Sequence, residues 1–366
     1  MIMSADLDLD DAESEAEECE YGEQLRRHGF CRVPLSQSPS LRSAKIIHEF
    51  RKEAQKLFLA IATHGIEAFD IPLNGAHGTH GSGFSSCTER DVLEIRLRGS
   101  AAGIDAPAVR LPPSFEKVFM QAWALLNQTS DDVLSLTLSG MGIDPAAVTQ
   151  FIQHHPLPDN QESDSCIRIS FYKSWTPSIT QADAAGSECA AKPETLDVCP
   201  AHTDVGVVTI VPISPVPGLE CRSVLTREWK RVEADSDNKQ LCDGDAEASA
   251  IIGDALHQYS GGQLPAAVHR VQIVSGSGLS IPNPLSESKW SYERMSISFH
   301  VYMRPKSELD KTVFNQQLGH SDGAETMRVS SIYSAKAWRN SSSTLAKVVG
   351  ATNVEAQALL RSFLGR

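Results

Sequence analysis

The sequence predicts a β-rich α+β protein, in which a core of antiparallel strands is covered by helices that precede it. From Cys166 onward, the runs CIRISFYKSW, VGVVTIVPI, SAIIGDALHQYS, AVHRVQIVS and RMSISFHVYM are short and rich in β-branched and aromatic residues. Pro, Gly and Ser clusters separate them, as between strands. Upstream, the apolar residues repeat instead with a helical period of 3.6. A chain of 366 residues that is 41% hydrophobic is also long enough to bury a large core.

The first twenty residues, MIMSADLDLDDAESEAEECE, carry acidic groups and no Lys or Arg. Like charges at that density repel and bury little, so residues 1–24 are expected to be a disordered, solvated tail. Gly29 to Pro34 reads as a short strand. A helix is expected from about Ser40 to Thr63, with Ile46, Ile47, Phe50, Ala54, Leu57 and Phe58 on one face. Residues 71–90, rich in Gly, His and Ser, read as loop. A second helix is expected from about Ser114 to Leu138, and a third from Asp144, where Asp and Pro145 make a good start. Residues 25–160 thus form a helical N-terminal region, 161–305 the β core, and 306–366 a helical extension ending in VEAQALLRSFL. The polar stretches 234–248 and 275–292 read as insertions.

The formal net charge of −13 disfavours nucleic acid and anionic lipid surfaces, and no basic patch offsets it. No apolar run approaches the roughly eighteen residues of a membrane helix. The eight cysteines are scattered without a CxxC pair, which favours reduced thiols. Neither a signal peptide nor a transit peptide is recognisable, so the expectation is a cytoplasmic monomer acting on a small molecule.

The chemistry-bearing feature is His202-Thr203-Asp204, running into the apolar VGVVTIV, with His269 opening another such run. Residues two apart at a strand mouth point to one side, so His202 and Asp204 can grip one ion and His269 can complete a facial triad. Two imidazoles and one carboxylate leave open positions of the kind Fe(II) oxygen chemistry uses. The spacing alone is cheap: roughly one chance His-x-Asp is expected in such a chain. His320-Ser321-Asp322 is such an instance, in a polar stretch with no histidine after it, and reads as solvated surface.

The order of contexts carries more. IRISFY with Tyr172, AHTDVGVVTIV, PGLE followed by Trp229, IIGDALHQYSGGQLPAAVHRV, and Arg294-Met295-Ser296 follow one another along 166–304. This series resembles that of the Fe(II)/2-oxoglutarate dioxygenases of the isopenicillin-N-synthase-like, plant-type branch. The resemblance implies a double-stranded β-helix (jelly-roll) core, with Fe(II) on His202, Asp204 and His269. It also implies 2-oxoglutarate held by Arg294, Ser296 and Tyr172, O2 as oxidant, and ascorbate as a candidate reductant. The implied reaction is oxidation of a small molecule (hydroxylation, desaturation or cyclisation) with release of succinate and CO2. The alternative is an oxidase like isopenicillin N synthase or aminocyclopropane-carboxylate oxidase, which does without 2-oxoglutarate.

Arg294 has support apart from the resemblance, because one Arg at the entrance of MSISFHVYM requires an anionic partner or an exit to solvent. Asp254 is expected to be structural at a turn, His257 a strand-end residue, and Arg270 a surface ion-pairing group opposite His269. The His154-His155 pair and the His77 and His80 loop read as surface.

Overall fold

The computed structural model describes residues 20–35, 40–74, 81–87, 89–152, 156–175, 195–233, 247–274, 281–282, 290–304, 308–310 and 326–328. Two antiparallel sheets face each other. The larger has the strand order β1 (Phe30–Pro34), β11 (Glu247–Ile252), β8 (Val208–Pro212), β14 (Trp290–Val301), β6 (Cys166–Trp175), β3 (Arg90–Ile95) and β2 (Gly83–Ser86), with β13 (Ile281–Pro282) added to β14. The smaller runs β10 (Trp229–Arg231), β9 (Leu219–Arg222), β12 (His269–Val274) and β7 (Thr195–His202). A hairpin of β4 (Leu97–Arg98) and β5 (Ala106–Pro107) stands apart.

Alternation along the strands separates two interiors. On β6, Ile167, Ile169 and Phe171 face outward with Met295, Ile297, Phe299 and Val301 of β14. They pack there against helices α2 (Ser40–His64) and α3 (Pro113–Ser139). Phe58 of α2 stacks on Phe171 at 4.0 Å, and Trp123 of α3 meets Phe299 edge-on at 5.0 Å. The helices form because their apolar residues repeat on one face, and α3 starts where Pro113 fixes the first turn. The opposite faces of β6 and β14 look toward the smaller sheet and form rows across the strands. One row is Arg90, Tyr172 and Arg294, the next Val92, Ser170 and Ser296, and a third Glu94, Arg168 and Ser298. A second apolar cluster, including Phe30, Val211, Leu219, Ile251, Val271 and Ile273, fills part of the space between the sheets.

Several expectations are corrected. Residues 20–28 are helical (α1), with Leu25 buried, so a helix occupies the end of the stretch read as acidic tail. The stretch read as loop between 71 and 90 contains β2, an edge strand whose small residues hide its register while Phe84 anchors it. Residues 25–160 are helical only in part, since β1, β2 and β3 all belong to the large sheet. The helix at Asp144 is one turn, α4 (Ala146–Thr149), with the Asp144 carboxylate accepting the Ala146 amide at 3.0 Å. IIGDALHQYS is not one strand: β11 ends at Ile252 and α5 (Asp254–Tyr259) begins after an extended Gly253. Within 306–366, β15 (Glu308–Asp310) and β16 (Thr326–Arg328) pair with each other where helix was expected. The residues of VEAQALLRSFL, His320-Ser321-Asp322, His154-His155 and His77 and His80 lie outside those described. The described cysteines Cys31, Cys87, Cys166, Cys199 and Cys221 are free thiols. No helix among the described residues is long and apolar enough to cross a membrane.

Candidate metal centre

His202 ends β7 and His269 begins β12, and the two are direct cross-strand partners with ring centroids 4.3 Å apart. Asp204 lies just beyond β7, on a turn rather than on the strand. That turn is clamped by the start of α5: the amide of Asp254 donates to the Asp204 carbonyl at 2.8 Å, and the amide of Ala255 to Val205 and Gly206. Asp254 thus stands at this turn and holds it through its backbone amide. Gly253 must be glycine because a Cβ there would meet the Gly206 carbonyl oxygen at 2.1 Å. His257, on α5 rather than a strand, donates through Nδ1 to the Leu264 carbonyl at 2.8 Å and takes no part in the cluster.

The three ligating groups offer donor atoms within 4.8 Å of one another. Nδ1 of His202 lies 2.8 Å from the Pro200 carbonyl, and Nδ1 of His269 lies 3.2 Å from that of Ala267. A carbonyl can only accept, so both Nδ1 atoms carry the proton and both Nε2 lone pairs are free. Those lone pairs converge on the carboxylate, with His202 Nε2 at 3.8 Å from Oδ1 and His269 Nε2 at 3.7 Å from Oδ2 of Asp204. Burial would raise the Asp204 pKa. His269, His300 and His202, with the Thr209 hydroxyl, outweigh it and hold this carboxyl well below the usual range. Two imidazoles and one fixed carboxylate suit a divalent first-row metal with open positions.

His300 and Thr209 escaped sequence reasoning. Thr209 donates to Asp204 Oδ2 at 2.6 Å and lies 3.3 Å from His300 Nδ1, while Ser298 lies 2.9 Å from His300 Nε2. Burial, reinforced by Arg168, pushes the His300 pKa down to about 4 and keeps the ring neutral. A chain His300 Nδ1–H to Thr209, then Thr209 O–H to Asp204, therefore orients the carboxylate. The available signal was parity, since His300 lies on the same strand face as Arg294, Ser296 and Ser298. Thr209→Val is expected to weaken Fe(II) binding about 10–100-fold, the usual cost of losing a group that orients a ligand, measurable by anaerobic metal titration. Unchanged affinity would show that Asp204 is held without it.

A chamber of about 50 Å³ adjoins the triad, lined by Arg90, Arg168, Ser170, Tyr172, Cys199, Ser296 and Ser298 among others. At that size it holds a water or two, so an organic ligand requires its walls to move. A broader groove of about 670 Å³, which includes Thr203, Arg222, Asp254 and Val268, opens nearby and contains none of the ligating residues.

Of the residues expected to hold the cosubstrate, Tyr172 and Ser296 line this chamber. Arg294 does not. Its guanidinium carbon lies 5.4 Å from the Tyr172 ring centroid, and its Nη2 donates to both oxygens of Glu233 at 2.6 and 2.7 Å. Glu233 is fixed in turn by the amides of Gly218 and Leu219, both at 2.8 Å. Gly218 admits the arginine, since a Cβ there would lie 2.8 Å from Arg294 Nε. Nε and Nη1 of Arg294 are buried with no acceptor among the described residues. Arg270 behaves as expected, pairing with Glu220 at 2.8 Å and covering Trp229 at 4.1 Å.

No family profile and no curated protein matches the sequence. Solved structures do match in fold. A full-length Neurospora crassa protein in complex with alpha-KG is 15% identical, covering 90% of this chain and 92% of its own, with a TM-score of 0.57. A Caulobacter crescentus protein, provisionally described as of the 2OG-Fe(II) oxygenase family, is 14% identical over 91% and 99% of the two chains, with a TM-score of 0.54. The rice dioxygenase for auxin oxidation is 16% identical over 94% and 93%, with a TM-score of 0.52. This chain shares their double-stranded β-helix fold.

Proposed function

We propose that the protein is an Fe(II)- and 2-oxoglutarate-dependent dioxygenase acting on a small molecule. The observation that carries this is the convergence of two imidazole Nε2 atoms and the Asp204 carboxylate at the mouth of a double-stranded β-helix. In this reading His202, Asp204 and His269 would hold iron, which would supply O2 activation, with 2-oxoglutarate as the two-electron reductant that would leave as succinate and CO2. The chain's own residues place the ligands and keep water out.

The donor set around Arg294 suits the distal carboxylate of 2-oxoglutarate. Arg294 has two buried N–H directions without an acceptor among the described residues. Arg51 of α2 binds the carbonyls of Pro212 and Ile213, next to Ser214, whose amide lies 3.3 Å from Glu233. Arg51 also lies within electrostatic reach of Glu233 and of Arg294, so two arginines face one glutamate here, which leaves a positive charge for an incoming carboxylate to neutralise. Tyr172 and Ser296 supply hydroxyls from the chamber wall. The rice enzyme's fold and the ordered strand motifs support placing the chain in the plant-type branch.

Anaerobic titration with Fe(II) and then 2-oxoglutarate tests this reading. The wild-type protein is expected to develop the visible metal-to-ligand charge-transfer band, and His202→Ala to lack it. On admitting O2 with a substrate, succinate should form. A normal band in His202→Ala would refute the metal assignment, and product without succinate would favour the 2-oxoglutarate-free oxidase.

A further inference from the structure

The chain is acidic overall, yet the wall of its chamber is cationic, and the cations there are unequally matched. Arg168 shares Glu94 with Arg96, at 2.9 and 2.8 Å. Arg90 has no carboxylate partner among the described residues. Its Nη1 meets the thiol of Cys199 at 3.2 Å, and it shares a hydrogen bond with the Tyr172 hydroxyl. The neighbouring carboxylate, Asp91, points to the other face of β3 and is taken by Lys173 at 2.6 Å. Arg90 thus lines the chamber with a thiol and a phenol, and no carboxylate, against its planar fork. A partly buried guanidinium in that position calls for an anion.

The anion is distinct from the distal carboxylate assigned to Arg294, because the two arginines flank Tyr172 from opposite strands. Register pairs Arg90 of β3 with Tyr172 and Tyr172 with Arg294 of β14, so the guanidiniums stand on either side of the phenol. Arg90 lies on the Cys199 side, beside the strand that ends in His202.

We propose that Arg90 binds a carboxylate of the substrate, so that the enzyme oxidises small organic acids; this rests on the oxygenase reading above. Binding would hold the acid by one end against β3 and leave the rest of the molecule to reach toward His202 and Asp204. The planar fork favours a carboxylate over a neutral amide, which offers one acceptor oxygen and no charge.

Calorimetric titration of hexanoate, benzoate and phenylacetate, each beside its primary amide, tests the assignment. The protein is used with Fe(II) and saturating 2-oxoglutarate under anaerobic conditions, and again without either. At least one acid is expected to bind about tenfold or more tightly than its amide, the discrimination expected of a charged hydrogen-bonded partner. Arg90→Gln should abolish that preference and Arg90→Lys retain part of it, while Fe(II) and 2-oxoglutarate affinities stay within about twofold. Failure of every acid to outbind its amide would overturn the proposal. So would loss of 2-oxoglutarate affinity in Arg90→Gln, which would make Arg90 a cosubstrate ligand, or loss of Fe(II) affinity, which would make it a support for Cys199 and His202. The metal-free arm keeps this test separate from the oxygenase reading: absence of the charge-transfer band with acid preference intact would sink only the latter.

Discussion

Asp204→Ala is expected to abolish Fe(II) binding at micromolar metal, with the fold retained. The carboxylate is the only anionic member of the triad, and it lies against His202, His269 and His300. Removing it leaves two imidazoles from adjacent strands, which hold a divalent ion far more weakly. The loss should exceed the roughly 10–100-fold typical of groups outside the ligand set, and therefore exceed that of Thr209→Val. The turn itself should survive, because α5 grips it through the Asp204 backbone carbonyl and not the side chain. Anaerobic titration with far-ultraviolet circular dichroism checks both halves. Retained iron affinity in a folded Asp204→Ala protein would remove the metal centre from this site.

The second large effect concerns Glu233. Both it and Arg294 are almost wholly inaccessible, with side chains 1% and 0% exposed. Glu233→Ala would strand the arginine's charge inside the protein and free the amides of Gly218 and Leu219 from their acceptor. Breaking a buried pair from one side costs about 3–5 kcal/mol, so unfolding in urea should shift strongly to lower denaturant. Replacing both partners by apolar residues, as in Glu233→Leu with Arg294→Met, is expected to recover the part of that stability lost to the stranded charge, while the Gly218 and Leu219 amides stay without this acceptor. The doubly substituted protein should still bind Fe(II) but lose 2-oxoglutarate, which separates the arginine's structural role from its proposed binding role. A stability change below about 1 kcal/mol for Glu233→Ala, the scale of an exposed pair, would mean that water reaches the pair.

The triad was legible in the sequence because His202 and His269 each stand at the mouth of an apolar run and Asp204 follows His202 by two residues. Tyr172, Ser296 and Arg294 were singled out by the order of strand motifs, and of these Tyr172 and Ser296 line the chamber while Arg294 lies behind it against Glu233. Arg90 and Arg168 were not, although Arg168 also interrupts an apolar run, CIRISFYKSW. Their inward direction depends on which strands lie side by side, and β3 meets β6 across roughly seventy residues of intervening chain. Glu233 was hidden differently. It stands at the edge of a polar, acidic stretch, where a carboxylate looks like solvated surface, and only the folded chain reveals Arg294 against it. The strand at 83–86 was missed because Gly and Ser give no alternation to read, and pairing with β3 supplies what composition lacks.

Strand β14 lies between β8 and β6 in the large sheet, yet it is the last long strand among the described residues. During synthesis, the sheet must therefore wait as two separate halves, β1-β11-β8 and β6-β3-β2, each with an open edge, until Trp290–Val301 emerges to join them. Such long-range closure is slow, and unpaired edges invite association with other chains in the interval. The same late strand brings Ser296, Ser298 and His300 to the chamber wall, so closing the sheet and furnishing the chamber are one event. A ribosome-released fragment ending before Trp290 would consequently be both sticky and inert, while the finished chain acquires its site at the moment it loses its exposed edges.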